Sequence, residues 1–319
     1  MKQTSLLAIE IGGTKLQLFA GRGDGKILDR KRFVVDREAG GEGIRAQISE
    51  AIPELISRWQ PAAIGVGYGG PVDWRRGRIA RSYHISGWDD FPLGQWLKDQ
   101  TGLPVFVEND ANTAAFGEAM HGAGIGLSPV FYVNMGSGVG GGLVIDGKLF
   151  HGAKPGEVEI GHVRMERDGT IVEDRCSGWS VDRLVRREIE SSPDSLLTKL
   201  VNEAPPGGEA RHLDAALAAG DELAQKVLRT CATDLAYALS HVVHLLHPAV
   251  IVVGGGLSLL GHPLRLAIAD ALPQFIMDAF QPGPRIVLAA LREDAVPVGA
   301  LALAAQQLAL LESQSASTG

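Results

Sequence analysis

Three glycine-rich turns, each directly after an apolar run typical of a β-strand, constrain the fold of this chain more than any other feature. They are Gly12-Gly13-Thr14, Gly136 to Gly142, and Gly254-Gly255-Gly256. Backbone N–H groups in such turns can approach an anion without obstruction by a side chain. The turns therefore predict phosphate-binding loops. The first and third also fit ordinary tight connections, a hairpin and a strand-to-helix turn, and that alternative stays open.

The elements around these turns recur in a similar order. The first part predicts strands at 6–11, 16–20, 32–35 and 64–66, an amphipathic helix from Ile44 to Trp59, and another helix at 93–100. The second part predicts strands at 130–134, 143–145, 250–253 and 285–288, a helix at 224–246, and a surface loop or short helices over 191–212. A duplicated β-meander followed by helices indicates an α/β protein with two lobes.

Asp110 is the candidate catalytic residue. It follows the apolar run from Leu103 to Val107 and precedes a predicted helix, in the sequence Val-Glu-Asn-Asp-Ala-Asn. In open α/β sheets, the carboxyl ends of strands are where catalytic groups and ligands meet. Asp110 arrives there beside Asn109, whose amide can orient a substrate hydroxyl while the carboxylate takes its proton.

Composition limits the classes of binding partner and indicates the cellular compartment. The 319 residues, 45% of them hydrophobic, can bury a large core, and the net charge of −7 comes without a basic run suited to nucleic acid. The first apolar run, Leu6 to Ile9, is too short for the core of a signal peptide. No apolar stretch approaches the length that spans a bilayer. Two cysteines, Cys176 and Cys231, build no disulfide framework. We expect a cytoplasmic protein with no membrane or nucleic-acid partner.

The ordered motifs resemble the ROK family of sugar kinases and sugar-responsive repressors, within the actin-like, hexokinase-type (ribonuclease H-like) ATPase fold. None of the glycine turns has a Walker or dinucleotide-binding pattern, so a nucleotide would be held by this different fold. The resemblance covers nearly the whole chain, in the segments Ile9–Lys15, Gly69–Asp73, Glu108–Asn112, Asn134–Gly142, Glu159–His162 and Val253–Gly256. It implies a small lobe at 1–112, joined by a C-terminal helix at 297–319, and a large lobe at 113–296.

The resemblance implies an ATP-dependent hexose kinase, glucokinase-like, that transfers the γ-phosphate to a sugar hydroxyl with Asp110 as general base. The implied sugar ligands are Gly70, Asn109, Asp110, Glu159, His162 and Glu173. The implied ATP-binding residues are Gly12, Gly13, Thr14, Lys15, Gly136, Ser137, Gly138, Gly140, Gly254 and Gly255. Mg²⁺ would accompany ATP, with Glu10, which stands where the family usually has aspartate, reaching the ion through water. The assembly expected from the family is a homodimer or homotetramer.

A second hypothesis is a non-catalytic sugar-binding regulator. A repressor of this family needs an N-terminal helix-turn-helix, and we expect none because the first phosphate loop already begins by Ile9. The regulator that stays open is therefore a sugar sensor without a DNA-binding domain. The sequence leaves the sugar and its hydroxyl undecided, since His84 lies near a position that is often asparagine.

The chain departs from the family where a cysteine cluster usually binds structural zinc. The segment from Val163 to Arg175 contains no cysteine, and one cysteine with one histidine cannot build a tetrahedral thiolate site. On this alignment the shortened loop keeps Glu173 as the sugar-binding glutamate, and the competing register gives that role to Asp182. Without metal, His162 either bonds a sugar hydroxyl or packs against the helix that follows Gly178.

The first prediction concerns this shortened loop. Metal analysis of the purified protein is expected to find no stoichiometric zinc, because the thiolate ligands are missing. One tightly bound zinc per chain would overturn the alignment of segment 163–178.

Overall fold

The structure, a computed structural model, describes residues 4–82, 85–153, 156 and 158–318, with side chains to 315. His84 therefore lies outside the described residues. Within them the first sheet has five strands in the order β3-β2-β1-β4-β7. These are β1 (Ser5–Ile11), β2 (Lys15–Arg22), β3 (Ile27–Val34), β4 (Ile64–Tyr68) and β7 (Val105–Asn109), and a separate hairpin contains β5 (Val72–Asp73) and β6 (Arg78–Ile79).

The second sheet repeats this order. Its strands lie in the order β10-β9-β8-β11-β12. The strands β11 and β12 thus occupy the positions that β4 and β7 occupy in the first sheet. They are β8 (Val130–Met135), β9 (Val139–Ile145), β10 (Lys148–Leu149), β11 (Val250–Gly254) and β12 (Arg285–Leu288). In both sheets the last three strands are parallel, as β1-β4-β7 and β8-β11-β12. The predicted duplication is thus confirmed.

Helices connect and cover the strands. They are α1 (Gly40–Trp59), α2 (Leu93–Thr101), α3 (Asp110–His121), α4 (Val172–Cys176), α5 (Gly178–Ile189), α6 (Leu196–Asn202), α7 (Leu213–Ala218), α8 (Glu222–Leu246), α9 (His262–Ala271) and α10 (Ala295–Thr318). Short helices do occupy 191–212, as one of the two predicted alternatives. The strand predicted from Leu143 starts earlier, at Val139, because Gly140 to Gly142 belong to β9 rather than to a turn.

Both faces of the first sheet are buried by helices. Leu7, Ile9 and Ile11 of β1 point to a core shared with α1 and α2, whereas Leu6 and Ala8 point to the opposite side, against α10. This alternation is the period-two pattern of a strand, and its apolar character on both faces is typical of a sheet covered by helices on each side.

Contact density divides the chain into two compact units. Unit 1 contains Met1–Gly126, Gly142–Glu157 and Ala290–Gly319, and unit 2 contains Leu127–Gly141 and Val158–Ala289. Unit 1 extends beyond the predicted lobe of 1–112 because α3 packs closely on α10. The predicted lobe boundaries stay a prediction, and the two units are described separately below.

The C-terminal helix corrects one expectation. Residues Arg292–Ser315 form a helical stretch long and apolar enough to cross a membrane by length and composition, which the sequence reading excluded. Half of that stretch is buried, and Ala300, Leu301 and Ala304 are fully enclosed against the first sheet. Its hydrophobicity therefore serves the core of unit 1.

Packing of α10 on α3 depends on a glycine. A Cβ at Gly299 would lie 1.8 Å from the backbone oxygen of Thr113 and 3.0 Å from the backbone nitrogen of Gly117. Backbone atoms cannot move aside as a flexible side chain can, so the two helices approach only where the side chain is absent.

We expect Gly299→Ala to lower the free energy of unfolding by about 1 to 3 kcal/mol, the usual range for overpacking a core. Urea unfolding followed by circular dichroism measures this. Gly256→Ala is the matched control, since an added Cβ there meets nothing within 4 Å. Equal stability of the two variants would contradict the packing argument.

Candidate active site

In unit 1, three parallel strands end in register. Ile11 of β1 pairs with Tyr68 of β4, and Tyr68 pairs with Asn109 of β7. The residues that follow, Gly12, Gly69 and Asp110, consequently leave the same edge of the sheet. The Gly69 N–H donates to the Ile11 carbonyl over 2.9 Å, which joins the first glycine turn to the substrate-side turn. Segments far apart in sequence thus meet at one place.

Asp110 is the first residue of α3. One carboxylate oxygen, Oδ1, accepts from the Ala111 N–H at 2.8 Å. The other, Oδ2, would lie 3.4 Å from a Cβ added to Gly69, so the carboxylate lies against the substrate-side turn. The N-terminus of a helix carries partial positive charge and favours an anion. The position suits a carboxylate that must remain charged until it takes a proton.

Asn109 is the N-cap of α3. Its Oδ1 accepts from the backbone N–H groups of Ala111 (2.8 Å) and Asn112 (3.0 Å). Its Nδ2 donates to the Gly70 carbonyl at 3.1 Å, which uses one of the two N–H donors of the amide. Asn109 therefore orders both Asp110 and the Gly69-Gly70 turn, besides its predicted contact with a substrate.

The first glycine turn has structural partners. The Gly12 N–H donates to the Lys15 carbonyl at 3.0 Å, and Arg37 donates to the Gly13 carbonyl at 3.0 Å. Lys15 Nζ lies 2.9 Å from Glu10 Oε1, and Gln17 Nε2 donates to Glu10 Oε2 at 2.8 Å. Both oxygens of Glu10 thus have a protein partner, and each keeps a lone pair that can accept from water. The magnesium role of Glu10, through water, stays a prediction, and Lys15 and the exposed Thr14 suit an anion.

In unit 2, hydrogen bonds hold the second glycine turn at both ends. The Gly178 N–H donates to the Gly136 carbonyl at 2.7 Å, and the Val139 N–H donates to Glu173 Oε2 at 2.9 Å. A Cβ at Gly138 would lie 2.5 Å from the same Glu173 oxygen, so only glycine lets this carboxylate approach. Ser137 lies exposed at the tip of the turn.

The remaining glycines of that run serve packing. A Cβ at Gly141 would lie 2.8 Å from the Val158 carbonyl oxygen, and a Cβ at Gly142 would lie 2.6 Å from the Cβ of Ala115. Gly140 lies in β9 and is half-buried. The abundance of glycine in this run therefore has two causes, an open turn at 136–138 and a closely packed strand after it.

The third glycine turn lies beside the second. Gly254 at the end of β11 pairs with Asn134 of β8. Gly255 has φ +82°, and a Cβ there would lie 2.5 Å from the Met135 carbonyl carbon and 2.6 Å from Asn134 Oδ1. Glycine is required on both counts. Two glycine turns at the carboxyl ends of adjacent parallel strands form the usual place for a nucleotide in an α/β fold, so the residues of unit 2 fit ATP.

Glu159 lies near enough to His162 and Glu173 for both to act on its charge. A short hydrogen-bonded hairpin joins the two segments: Arg164 bridges Ile171, and the Val172 N–H donates to the Val163 carbonyl at 3.0 Å. The hairpin returns the chain to the end of the Glu159–His162 turn. Within the described residues, no group of three or more His, Cys, Asp or Glu side chains is arranged to hold a metal ion.

The charge state of Glu159 is perturbed. Loss of water around its carboxyl raises the pKa of Glu159; nearby His162 opposes the rise, and Glu173 adds to it. The preceding residue, Val158, has φ +57°, a conformation that is strained for a β-branched side chain. The His162 side chain is exposed, which disfavours the alternative in which it is buried against α5.

The alternative alignment, in which Asp182 and not Glu173 is the sugar-binding carboxylate, finds no support in the geometry. Asp182 is buried, and its Oδ1 accepts from the Ala210 N–H at 2.7 Å. It therefore has a structural role next to the turn at Glu209–His212, whereas Glu173 lies at the second glycine turn. The geometry favours Glu173 for the predicted sugar-binding position.

Sequence reasoning missed Glu108 and His151. Glu108 is buried one residue before Asn109, and its Oε2 lies 2.7 Å from His151 Nε2. His151 in turn stacks on Trp74, with 4.1 Å between ring centroids. A carboxylate directly after the buried Val107 of a predicted strand was the signal in the sequence that a polar network lies here.

Comparisons with known proteins agree with these arrangements. The model of the ROK family matches residues 6–307. Glucokinase of Thermotoga maritima is 30% identical over 316 residues, which cover 97% of this chain and 99% of the relative. A ROK family glucokinase from Streptomyces griseus, solved in complex with glucose and AMPPNP, has a TM-score of 0.84 and 30% identity, with 95% of this chain and 99% of that one covered. The ROK hexokinase of Thermus thermophilus has a TM-score of 0.76 and 27% identity, over 96% and 99%. The predicted actin-like, hexokinase-type fold is confirmed.

The raised pKa of Glu159 gives a prediction for stability. Because the folded protein binds this proton more tightly than the unfolded chain, ionisation above the ordinary value of 4.5 costs folding free energy. We expect Glu159→Gln to be as stable as wild type or slightly more stable at neutral pH, with the difference shrinking below pH 4.5. The gain is small because the residue as a whole is exposed, although its carboxyl is in part shielded from water.

Urea unfolding at neutral and acid pH measures this difference. Glu203→Gln, at an exposed position after α6, is the matched control. A Glu159→Gln variant that is less stable than wild type at neutral pH but not in acid would show that ionised Glu159 stabilises the fold.

Proposed function

This chain belongs to the ROK family, and from that premise we propose that it is an ATP-dependent sugar kinase that transfers the γ-phosphate to a hydroxyl of a hexose or hexose derivative. The observation that carries the proposal is the register of β1, β4 and β7. It aligns the first glycine turn, the Gly69-Gly70 turn and Asp110 at one edge of a sheet. An anion loop beside a carboxylate at a helix N-terminus is what transfer of a phosphoryl group to a hydroxyl requires.

Asp110 is proposed as the general base. The sugar hydroxyl oxygen forms the new bond to the γ-phosphorus, the bond from that phosphorus to the bridging oxygen of ADP breaks, and the hydroxyl proton passes to the Asp110 carboxylate. Asp110 Oδ1 accepts from the Ala111 N–H, and Oδ2 faces Gly69, so the carboxylate lies between the first turn of α3 and the Gly69-Gly70 turn. The protein contributes mainly position and charge, as is usual for phosphoryl transfer.

Sugar-binding residues are proposed in each unit. In unit 1 they are Asn109 and Gly70, and in unit 2 they are Glu159, His162 and Glu173. A ring with several hydroxyls needs both donors and acceptors, and a set of amide, imidazole and carboxylates supplies both. Glu173 also accepts from the Val139 N–H, which ties this carboxylate to the second glycine turn.

ATP is proposed as the donor, with Mg²⁺ bound as part of the MgATP substrate. In unit 2 the turns at Gly136–Gly138 and Gly254-Gly255 would receive the nucleotide, and in unit 1 the Gly12-Gly13-Thr14 turn with Lys15 would receive phosphate. Glu10, whose oxygens contact Lys15 and Gln17, would reach the ion only through water, as proposed from the sequence.

Glucose is the first candidate sugar, because relatives of nearly full-length similarity are glucokinases and one was solved with glucose. A cytoplasmic location and a homodimer or homotetramer without membrane or nucleic-acid partners remain proposals. The alternative function, a non-catalytic sugar-binding regulator, would not need a base. The positioned carboxylate of Asp110 beside an open glycine turn favours the enzyme.

We expect Asp110→Asn to lower kcat for sugar phosphorylation by roughly 100- to 10,000-fold, the usual contribution of a general base. Asparagine keeps the side-chain shape but cannot accept the proton. A coupled assay of ADP formation with glucose and MgATP measures the change. Asp99→Asn, which removes an exposed carboxylate on α2, is the matched control.

A panel of hexoses, N-acetylhexosamines and polyols in the same assay identifies the acceptor. Turnover of Asp110→Asn at the wild-type rate would reject the assignment of the base. Binding of a sugar to the wild-type protein, without phosphorylation of any member of the panel, would favour the regulator.

A further inference from the structure

A buried carboxylate lies next to the proposed base and has no role in the reaction described above. Glu108 is 3% exposed. Its Oε1 accepts from the Asn109 N–H at 2.8 Å and from Asn112 Nδ2 at 3.2 Å, and its Oε2 lies 2.7 Å from His151 Nε2. These contacts fall on both sides of Asp110 in sequence. Glu108 thus holds the first turn of the helix that Asp110 begins.

His151 is held by a second contact. Its ring stacks on Trp74, with planes 22° apart, and the Arg75 guanidinium lies 5.1 Å from the Trp74 ring centroid. Trp74 directly follows β5, which leads out of the Gly69-Gly70 turn. Stacking limits rotation of the imidazole and keeps Nε2 directed at Glu108. The pair therefore links the catalytic segment to the substrate-side turn, all within unit 1.

A buried carboxylate is costly unless hydrogen bonds satisfy it. An apolar residue at position 108 would avoid this cost, so stability alone does not require glutamate here. What glutamate supplies is a pair of oxygens on one rigid carboxyl group, one that accepts from Asn109 and Asn112 and one that meets His151 Nε2. The group therefore links the first turn of α3 to His151 in one geometry.

We propose that Glu108 and His151 are a positioning pair that sets the location of Asp110, with Trp74 orienting His151. This rests on the proposed function, and it adds residues whose proposed role is to position the base and not to bind sugar or nucleotide. If His151 is removed, Oε2 of Glu108 loses its partner. The carboxyl group can then rotate, which weakens its hydrogen bonds to Asn109 and Asn112. A displacement of the base by about 1 Å can cost on the order of 100-fold in rate.

The test compares His151→Leu, His151→Gln and Trp74→Leu with wild type. We expect His151→Leu to lower kcat by roughly 10- to 100-fold with the KM for ATP unchanged. His151→Gln should recover most of the rate, because the glutamine amide nitrogen can donate from nearly the same place as Nε2. Trp74→Leu should give an intermediate loss. His262→Leu, at an exposed histidine of α9, is the control and should match wild type.

A double-mutant cycle tests whether the pair acts as a unit. Glu108→Gln combined with His151→Leu should lose little more activity than the more damaging single variant, since residues that act together are not additive. Fully additive losses would overturn the pairing. So would a His151→Leu variant with wild-type kcat, or one that His151→Gln does not improve although both are folded.

Amide hydrogen exchange separates this inference from the proposed function. In His151→Leu, exchange at the N–H groups of Ala111 to Thr113 should accelerate, and in His262→Leu it should not. If no sugar is phosphorylated by wild type, the kinase proposal fails, and accelerated exchange at α3 still supports the positioning of Asp110. Unchanged exchange at these amides would overturn the positioning pair whatever the activity.

Discussion

The parallel register of β1, β4 and β7 is the constraint on which the active-site geometry of unit 1 depends. A shift of one residue in β7 would turn every side chain of that strand to the other face, and would move Asp110 away from Gly69. Two glycines of β4, the middle one of these three strands, help to hold this register. A Cβ at Gly65 would lie 2.0 Å from the Ala300 carbonyl oxygen, and a Cβ at Gly67 would lie 2.5 Å from a Val296 methyl. Close packing of α10 on β4 is therefore part of what places the catalytic edge.

Helix α3 shows how the same unit stabilises buried charge. At its start, Asn109 caps the backbone and Glu108 accepts from two groups of the first turn. Toward its end, the fully buried Glu118 accepts from the backbone N–H groups of Ala123, Ala290 and Leu291. Each carboxylate is satisfied by several donors, as buried ionised groups must be. The helix that presents the base is thus held by directional bonds at both ends, in addition to apolar packing.

In unit 2 the two glycine turns are ordered by contacts with neighbouring segments. Gly178 and Glu173 anchor the second turn through its backbone, and Gly255 brings the third turn against Asn134 and Met135. The hairpin from Val163 to Val172 shortens the path between the Glu159–His162 turn and α4. Backbone hydrogen bonds order this segment, from the Val172 N–H to the Val163 carbonyl and in the bridge between Arg164 and Ile171.

The strand and helix order, the duplicated unit, the position of Asp110 at a strand's end and the family could all be predicted from the chain alone. Local signals carry these properties: apolar periodicity, glycine turns and short motifs are readable along the chain. The packing role of individual glycines could not be predicted, since Gly141, Gly142 and Gly299 are required by residues distant in sequence. The same holds for the engagement of Glu10 by Lys15 and Gln17, for Asp182 bonding Ala210, and for Glu108 meeting His151. Hydrogen bonds and close contacts between distant segments depend on how the chain folds back on itself, and no local pattern records that.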